Sequence, residues 1–457
     1  MKARTLTHTA PVSTSEEQLY LAKRLQKIIQ CATVSKKEGH DDAEFARLRI
    51  VMSELFPLVH KNSEKITFSD DCWLFKITGK NESHSIMLMS HHDVVPVSGV
   101  WKYPGFSGEI AEGRVWGRGC VDTKTPLFAE FEAIEQLLKS GFEFPCNVYL
   151  ASSHNEEYTG DGMPKVREYF EENNIHPDFI IDEGGAVIEA PLAGMHCKCA
   201  MLAVHEKGRH AIDLLAKKEL EHTGLLSSHD TPPLQMARFI MEIEKQQPFI
   251  RKFSPPVIAM FRELSPYMSF PMNFIFSNVK FFQPILKVLI PKLNQQAGSM
   301  LGTTYNFTEL ETDKLTGDCR AKMFLRCIDD KDLEVELDLI GKIAEKYGIQ
   351  MKNAEKGNEF HKAANMESNG YKYVKSCVEQ SFPYAACAPF ILPAGSDARQ
   401  FSDLCDAVIR FAPIDIDNQQ FKSVHGIDEN ISLSSLPRAV QFYKTVLENY
   451  HVQFINH

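Results

Sequence analysis

From Ser15 to Ile29 the apolar residues Leu19, Leu21, Ala22, Leu25, Ile28 and Ile29 recur at the spacing that gathers one face of an α-helix, and Ser15 ahead of Glu16 and Glu17 marks its start. Short apolar runs of strand length follow over 85–90, 146–152 and 179–181, with helical patterns over 127–139 and 165–173 between them. Strands that alternate with helices predict β-α-β units and a parallel sheet. Beyond residue 201 the order changes. Patterns over 202–216, 231–244, 302–311, 319–328, 332–347 and 350–356 read as strand, helix, strand, strand, helix, strand, the β-α-β-β-α-β order of a ferredoxin-like unit. A helix over 372–380, a strand over 407–411 and an amphipathic helix over 436–449 then return to the first pattern.

The predicted fold class is therefore α/β, a mostly parallel sheet flanked by helices, with an inserted ferredoxin-like α+β lid or dimerisation domain. Residues 1–201 and 358–457 form the discontinuous outer domain and residues 202–357 the insert, with Glu206-Lys207-Gly208 marking where the chain passes into it. The stretch 264–296 is apolar and proline-bearing, an insertion within the insert to which the pattern assigns no role. Core or subunit contact is the favoured reading of 274–288, ahead of a lipid surface.

Composition narrows the classes. Of 457 residues 44% are hydrophobic and 24% charged, the balance of a globular chain and not of a fibrous or disordered one. Lysine and arginine number 50 against 60 acids, a formal charge of −10, which offers no electrostatic footprint for nucleic acid. The basic start, Met1 to His8, has no apolar run behind it, so no secretory signal is read and a cytoplasmic location is expected. The most apolar stretch, 272–291, is interrupted by Lys280, Lys287 and prolines, so no membrane span and no membrane partner are expected. The 11 cysteines are scattered and read as reduced thiols, and Cys197-Lys198-Cys199 is too short and isolated for a metal site.

Each early strand run ends in residues that bind metals, and in an open parallel sheet such loops meet at the carboxyl ends of the strands. The first run ends in His91-His92-Asp93, the second in Asn155-Glu156-Glu157 and the third in Asp182-Glu183-Gly184-Gly185. Alternation along an extended chain puts His91 and Asp93 on the same side, so that Asp93 braces the imidazole while His91 binds metal. Asp122 lies in the glycine-bearing turn Gly117-Arg118-Gly119-Cys120-Val121-Asp122-Thr123-Lys124, and His425 lies in Ser423-Val424-His425-Gly426. Any one of 17 histidines and 60 acids is usually a solvated or capping side chain. Two histidines and three carboxylates together, with a further glutamate adjacent, form a ligand set for two zinc-like ions about 3.5–4 Å apart.

These runs, with His91 to Pro96, Trp101, and Gly395-Ser396-Asp397-Ala398-Arg399, resemble the dinuclear-zinc peptidase family of aminoacylase, carboxypeptidase S, glutamate carboxypeptidase and the N-acyl-amino-acid deacylases. The motifs follow the family's order from about residue 15 to residue 450. The resemblance implies two Zn2+ per chain, with Co2+ or Mn2+ as substitutes, in a catalytic zinc-binding outer domain. Asp122 would be the bridging carboxylate, His91 and Asp182 would complete one ion, and Glu157 and His425 the other. Glu156 would be the general base, taking a proton from the bridging water and passing it to the leaving nitrogen. Asp93 joins it among the implied catalytic residues. Arg399 resembles the binder of a substrate carboxylate, with Gly395 and Arg326 beside it; the plainer reading of Arg399 is a surface ion pair. The family often carries a cis peptide beside its bridging aspartate. The implied activity is hydrolysis of an amide or peptide bond in small N-acyl amino acids or short peptides with a free carboxylate, by a chain that forms a homodimer through its lid.

Three departures stand beside this resemblance. Asn155 occupies the place where the family usually has Asp. Leu225-Leu226-Ser227-Ser228 replaces the lid's Gly-His-Ser-Ser, so Leu226 stands where a carbonyl-polarising histidine is expected, with His222 and His229 nearby. The Lys-x-Asn-x-x-Pro segment is missing over 312–318, although Arg326 remains. These losses keep a second reading open, a catalytically impaired metal-binding or interaction protein derived from this family.

Overall fold

The computed structural model describes residues 6, 13–36, 41–217, 231–355 and 360–454. The first helix is Ser15–Ile29, as its periodicity predicts; the Thr14 side chain caps it by accepting from Glu17 N, and Leu21, Leu25, Ile28 and Ile29 are buried.

The outer domain is built on a nine-stranded sheet in the order Glu64–Phe68, Cys72–Ile77, Cys146–Ser153, Asn81–His91, Ile180–Asp182, Val408–Arg410, Lys198–Glu206, Ala385–Leu392, with Val187–Ile188 beside Lys198–Glu206. Cys146–Ser153, Asn81–His91, Ile180–Asp182 and Val408–Arg410 run parallel, and the register sets Leu88 between Leu150 and Ile181. Helices cover these central strands, so they read as continuous apolar runs without alternation. The helix Lys124–Lys139 packs against both Asn81–His91 and the long helix Ser435–Phe454. The strand Ala385–Leu392 escapes the sequence pattern because it is alanine-rich and contains Pro389. It lies at the sheet's edge, the place where a strand proline is tolerated, and the helix Pro255–Leu264 covers it.

The predicted strand 202–216 is two strands. Lys198–Glu206 stays in the large sheet and Gly208–Ala216 belongs to a second, so the chain changes sheets at Lys207 and not at Leu202. The second sheet is antiparallel, in the order Thr304–Thr312, Cys319–Cys327, Gly208–Ala216, Ile349–Glu355, and the helices Pro232–Gln246 and Asp330–Lys346 pack on it in the ferredoxin-like arrangement that the order of elements predicts.

The apolar stretch 264–296 that carried no reading is largely helical, in Met272–Ser277, Val279–Leu293 and the start of Gln295–Ser299, and the helix Pro255–Leu264 leads into it. The buried side chains of these helices, among them Met260, Phe261, Leu264, Phe276 and Ile290, form one core with Cys199, Met201, Ala386, Ala388 and Ile391 of the large sheet. This part of the insert thus folds back over the outer domain.

Candidate active site

Three adjacent parallel strands, Cys146–Ser153, Asn81–His91 and Ile180–Asp182, end on the same side and deliver Glu156 and Glu157, His91, and Asp182 to one place. A small sheet brings the other two ligand loops together. Asn430–Ser432 pairs antiparallel with Arg114–Trp116, with Trp116 opposite Asn430, so the turn after Trp116 and the loop before Asn430 lie side by side. A buried ion pair fastens them: Arg118 donates to Glu429 at 2.5 Å and to the Gly426 carbonyl, while Glu429 accepts from Val121 N and Asp122 N. Asp122 and His425 are thereby held face to face.

Asp122 uses its two oxygens for two imidazoles, Oδ1 at 3.0 Å from His91 Nε2 and Oδ2 at 3.1 Å from His425 Nε2. His425 Nε2 also lies 3.1 Å from Glu157 Oε2. Burial would raise the Asp122 carboxyl, but the hydrogen bonds from His425 and His91 outweigh it and hold the group well below the ordinary carboxylate range. The contacts to Asp122 and Glu157 lift His425 to about 10. For His91, burial acts against the charged ring, and the hydrogen bonds to Asp122 and Asp93 overcome it. Carboxylates that hold imidazole protons this strongly present the charge that divalent cations need, and ligand atoms of His91, Asp122 and Glu157 all lie within 4.8 Å of one another. The donor set fits a metal centre bridged by Asp122.

Asp182 is buried, with Oδ2 accepting from Ala398 N at 2.9 Å, and its charge acts on His91 across the site. Glu183, which sequence reasoning did not single out, lines the same cavity; burial pushes its carboxyl well up, and Asp122 and Asp182 add to the shift. Asp93 does more than brace His91. Its carboxylate accepts from Glu156 N, Glu157 N and the Ser35 hydroxyl, so it fixes the backbone of both glutamates, while His91 Nδ1 is 3.0 Å from its main-chain oxygen. His92 takes no part in the cage and stacks on Trp73 at 4.0 Å. The Asp122–Thr123 peptide is cis. Burial pushes the Glu156 carboxyl well above its usual value; His91 opposes the shift, and Asp397, Asp93 and Glu157 add to it. Asn155 donates to Asp161 at 3.1 Å, a contact that a second carboxylate would turn into repulsion.

A second cluster assembles the residues read as substrate binders. Arg399 is buried, and its guanidinium meets Glu206 only at 4.0 Å, whereas Arg410 takes the other Glu206 oxygen at 3.1 Å. Arg399 is therefore not a surface ion pair. A side chain at position 395 would come within 2.8 Å of Arg399 Nη1, so Gly395 leaves room for that guanidinium, and such a side chain would stand in ordinary contact with Arg326 Nη1 at 3.7 Å. Burial lowers the Arg326 pKa, and Arg209 and Arg399 lower it further. Arg399 and Arg410 of the outer domain thus flank the Glu206 carboxylate, and Arg326 of the insert stands near Arg399, an arrangement that suits an incoming anion. His222, Leu226 and His229 lie outside the described residues.

Between these groups lies a cavity of about 400 Å³, whose lining joins Asp122, Glu156, Glu157, His425 and Gly395 to Met201, Met260, Leu264, Met300 and Phe390. The model of peptidase family M20/M25/M40 matches residues 87–449. The chain belongs to this peptidase family. Probable carboxypeptidase S-like 2 of Dictyostelium discoideum is 27% identical over 95% of this chain and 86% of its own. Human N-fatty-acyl-amino acid synthase/hydrolase PM20D1 is 25% identical over 95% of this chain and 88% of its own. Among solved structures, the M20 family metallo-carboxypeptidase Sso-CP2 of Sulfolobus solfataricus matches with a TM-score of 0.67 at 19% identity, over 96% of this chain and 100% of that one, which shows the shared fold. As a member of the M20/M25/M40 family the chain is a metal-dependent hydrolase of amide bonds, and His91, Asp122 and Glu157 form a group that could hold a metal ion.

Proposed function

We propose that this chain hydrolyses N-acyl amino acids with a long apolar acyl group, using two zinc ions and acting in the cytoplasm. The observation that supports this reading is the cavity: methionine, leucine and phenylalanine side chains continue directly from the charged residues, where a peptide-cleaving site would need partners for further backbone amides. The name of the human relative, a fatty-acyl-amino acid hydrolase, points the same way.

His91 and Asp182, Glu157 and His425, with Asp122 between, would hold the cations, which when bound supply a Lewis acid and a water of lowered pKa. The remaining work falls to the chain's own groups. Glu156 accepts the proton of the attacking water at its carboxylate and delivers it to the leaving amine nitrogen; its burial keeps the carboxyl basic enough for this task. Asp93 holds Glu156 and Glu157 in register. Arg399 and Arg326 take the amino acid's carboxylate, and the apolar wall excludes water around the acyl chain.

The test is a series of N-acyl leucines of increasing acyl length. Each buried methylene contributes about 0.8 kcal/mol, so kcat/KM is expected to climb about fourfold per carbon until the cavity is filled. A flat series sinks the acyl reading and leaves a carboxypeptidase.

A further inference from the structure

The helix Val279–Leu293 carries apolar residues on two opposite sides, yet the protein covers only one of them. Val279, Leu286 and Ile290 are buried against the large sheet's core. On the opposite side Phe281, Ile285 and Val288, one helical stripe, are 80%, 59% and 52% exposed. Phe274 and Phe281 both pack on Phe282, with ring centroids 6.0 and 5.2 Å apart, which makes the exposed aromatic surface continuous. An exposed apolar surface of this extent calls for an apolar partner. The expectation of core for 274–288 thus holds for half of this helix and leaves the other half unexplained.

Charge identifies the medium. Between Glu263 and Glu309 the sequence contains no Asp or Glu, and its only charges are Lys280, Lys287 and Lys292, all on this helix, in a chain whose formal charge is −10. Two copies packed face to face would set lysine against lysine, whereas an apolar stripe that carries lysines and no acid complements an anionic lipid surface. Asn294, Gln296, Ala297 and Met300, immediately after the helix, line the cavity. We propose that Val279–Leu293 seats the protein on an anionic bilayer, lying in the plane of the interface with Phe281, Ile285 and Val288 in the acyl boundary and the lysines among the headgroups. Spanning is a separate matter: among the described residues no helix is long and apolar enough to cross a membrane. The docking goes beyond the acyl-amino-acid reading and needs no substrate; only its corollary, that acyl chains pass from lipid into the cavity, rests on that reading.

The test is cosedimentation of the full chain, without substrate, with vesicles of phosphatidylserine and phosphatidylcholine and with vesicles of phosphatidylcholine alone. Binding to the mixed vesicles is expected, and replacing each of Lys280, Lys287 and Lys292 by Gln should weaken it about fivefold. Phe281→Ser with Ile285→Ser should abolish binding while the circular-dichroism melt shows a folded protein. No binding to mixed vesicles, or binding that these variants leave unchanged, overturns the proposal. So does a dimer in solution that Phe281→Ser dissolves, because the face would then be covered by a second copy.

Discussion

The charged wall of the cavity and its apolar wall are held by different forces. The charged wall is assembled from strand ends and two loops, and the carboxylates behind it are fixed by named donors: Asp93 by Ser35 and the amides of Glu156 and Glu157, Asp182 by Ala398, Glu429 by Arg118. The apolar wall is shared between the insert, through Met260, Leu264 and Met300, and the large sheet on which it packs by shape alone, through Met201 and Phe390. Directional contacts set the geometry that chemistry needs, and non-directional packing leaves a volume whose occupant is chosen by size. Damage to the first wall should therefore strike all substrates alike, and damage to the second should sort them by length.

Glu156→Gln tests the first half of that contrast most severely. It should lower kcat by about a thousandfold for every acyl length, the loss of a general base, with the bound-metal content by elemental analysis unchanged. Full activity would remove Glu156 as the base. Arg118→Met should come next. It leaves the buried Glu429 charge unpaired at a cost of about 3–5 kcal/mol, and with the Asp122 and His425 loops unfastened the metal affinity should fall about 10- to 100-fold in a chelator titration. An unchanged affinity would show that the two loops hold their places without the pair. Met300→Trp has the smallest expected effect and separates the walls: kcat/KM for the longest acyl chains should drop about tenfold, the cost of excluding a couple of methylenes, while short-chain substrates are unaffected. A uniform loss across lengths would mean that the apolar wall does not sort substrates.

Much of the charged wall was legible because its signals are local. His91, Glu156, Glu157 and Asp182 each follow a short apolar run, and strand ends in a parallel sheet converge by topology alone. The order of the insert's elements was readable for the same reason. Contacts across sequence were not. Arg118 and Glu429 are separated by most of the chain, and nothing in Gly117-Arg118-Gly119 names its partner. Glu183 sits beside a residue already taken as a ligand, and alternation along a strand cannot say which of the two faces Asp122. The helical insertion stayed hidden for a different reason: Pro284 and Pro291 inside Val279–Leu293 argued against a helix, and apolar residues on two of its sides blur the single buried face that marks one. Ala385–Leu392 lacks the β-branched residues that mark a strand.

The paired arginines carry a consequence for the timing of the reaction. Arg399 belongs to the outer domain and Arg326 to the insert, so the pocket proposed for the amino acid's carboxylate is built from both parts of the chain. On that reading the released amino acid keeps the very group that the two arginines hold, so what admits the substrate also delays the departure of one product, and a free amino acid will compete with substrate more strongly than its amide does.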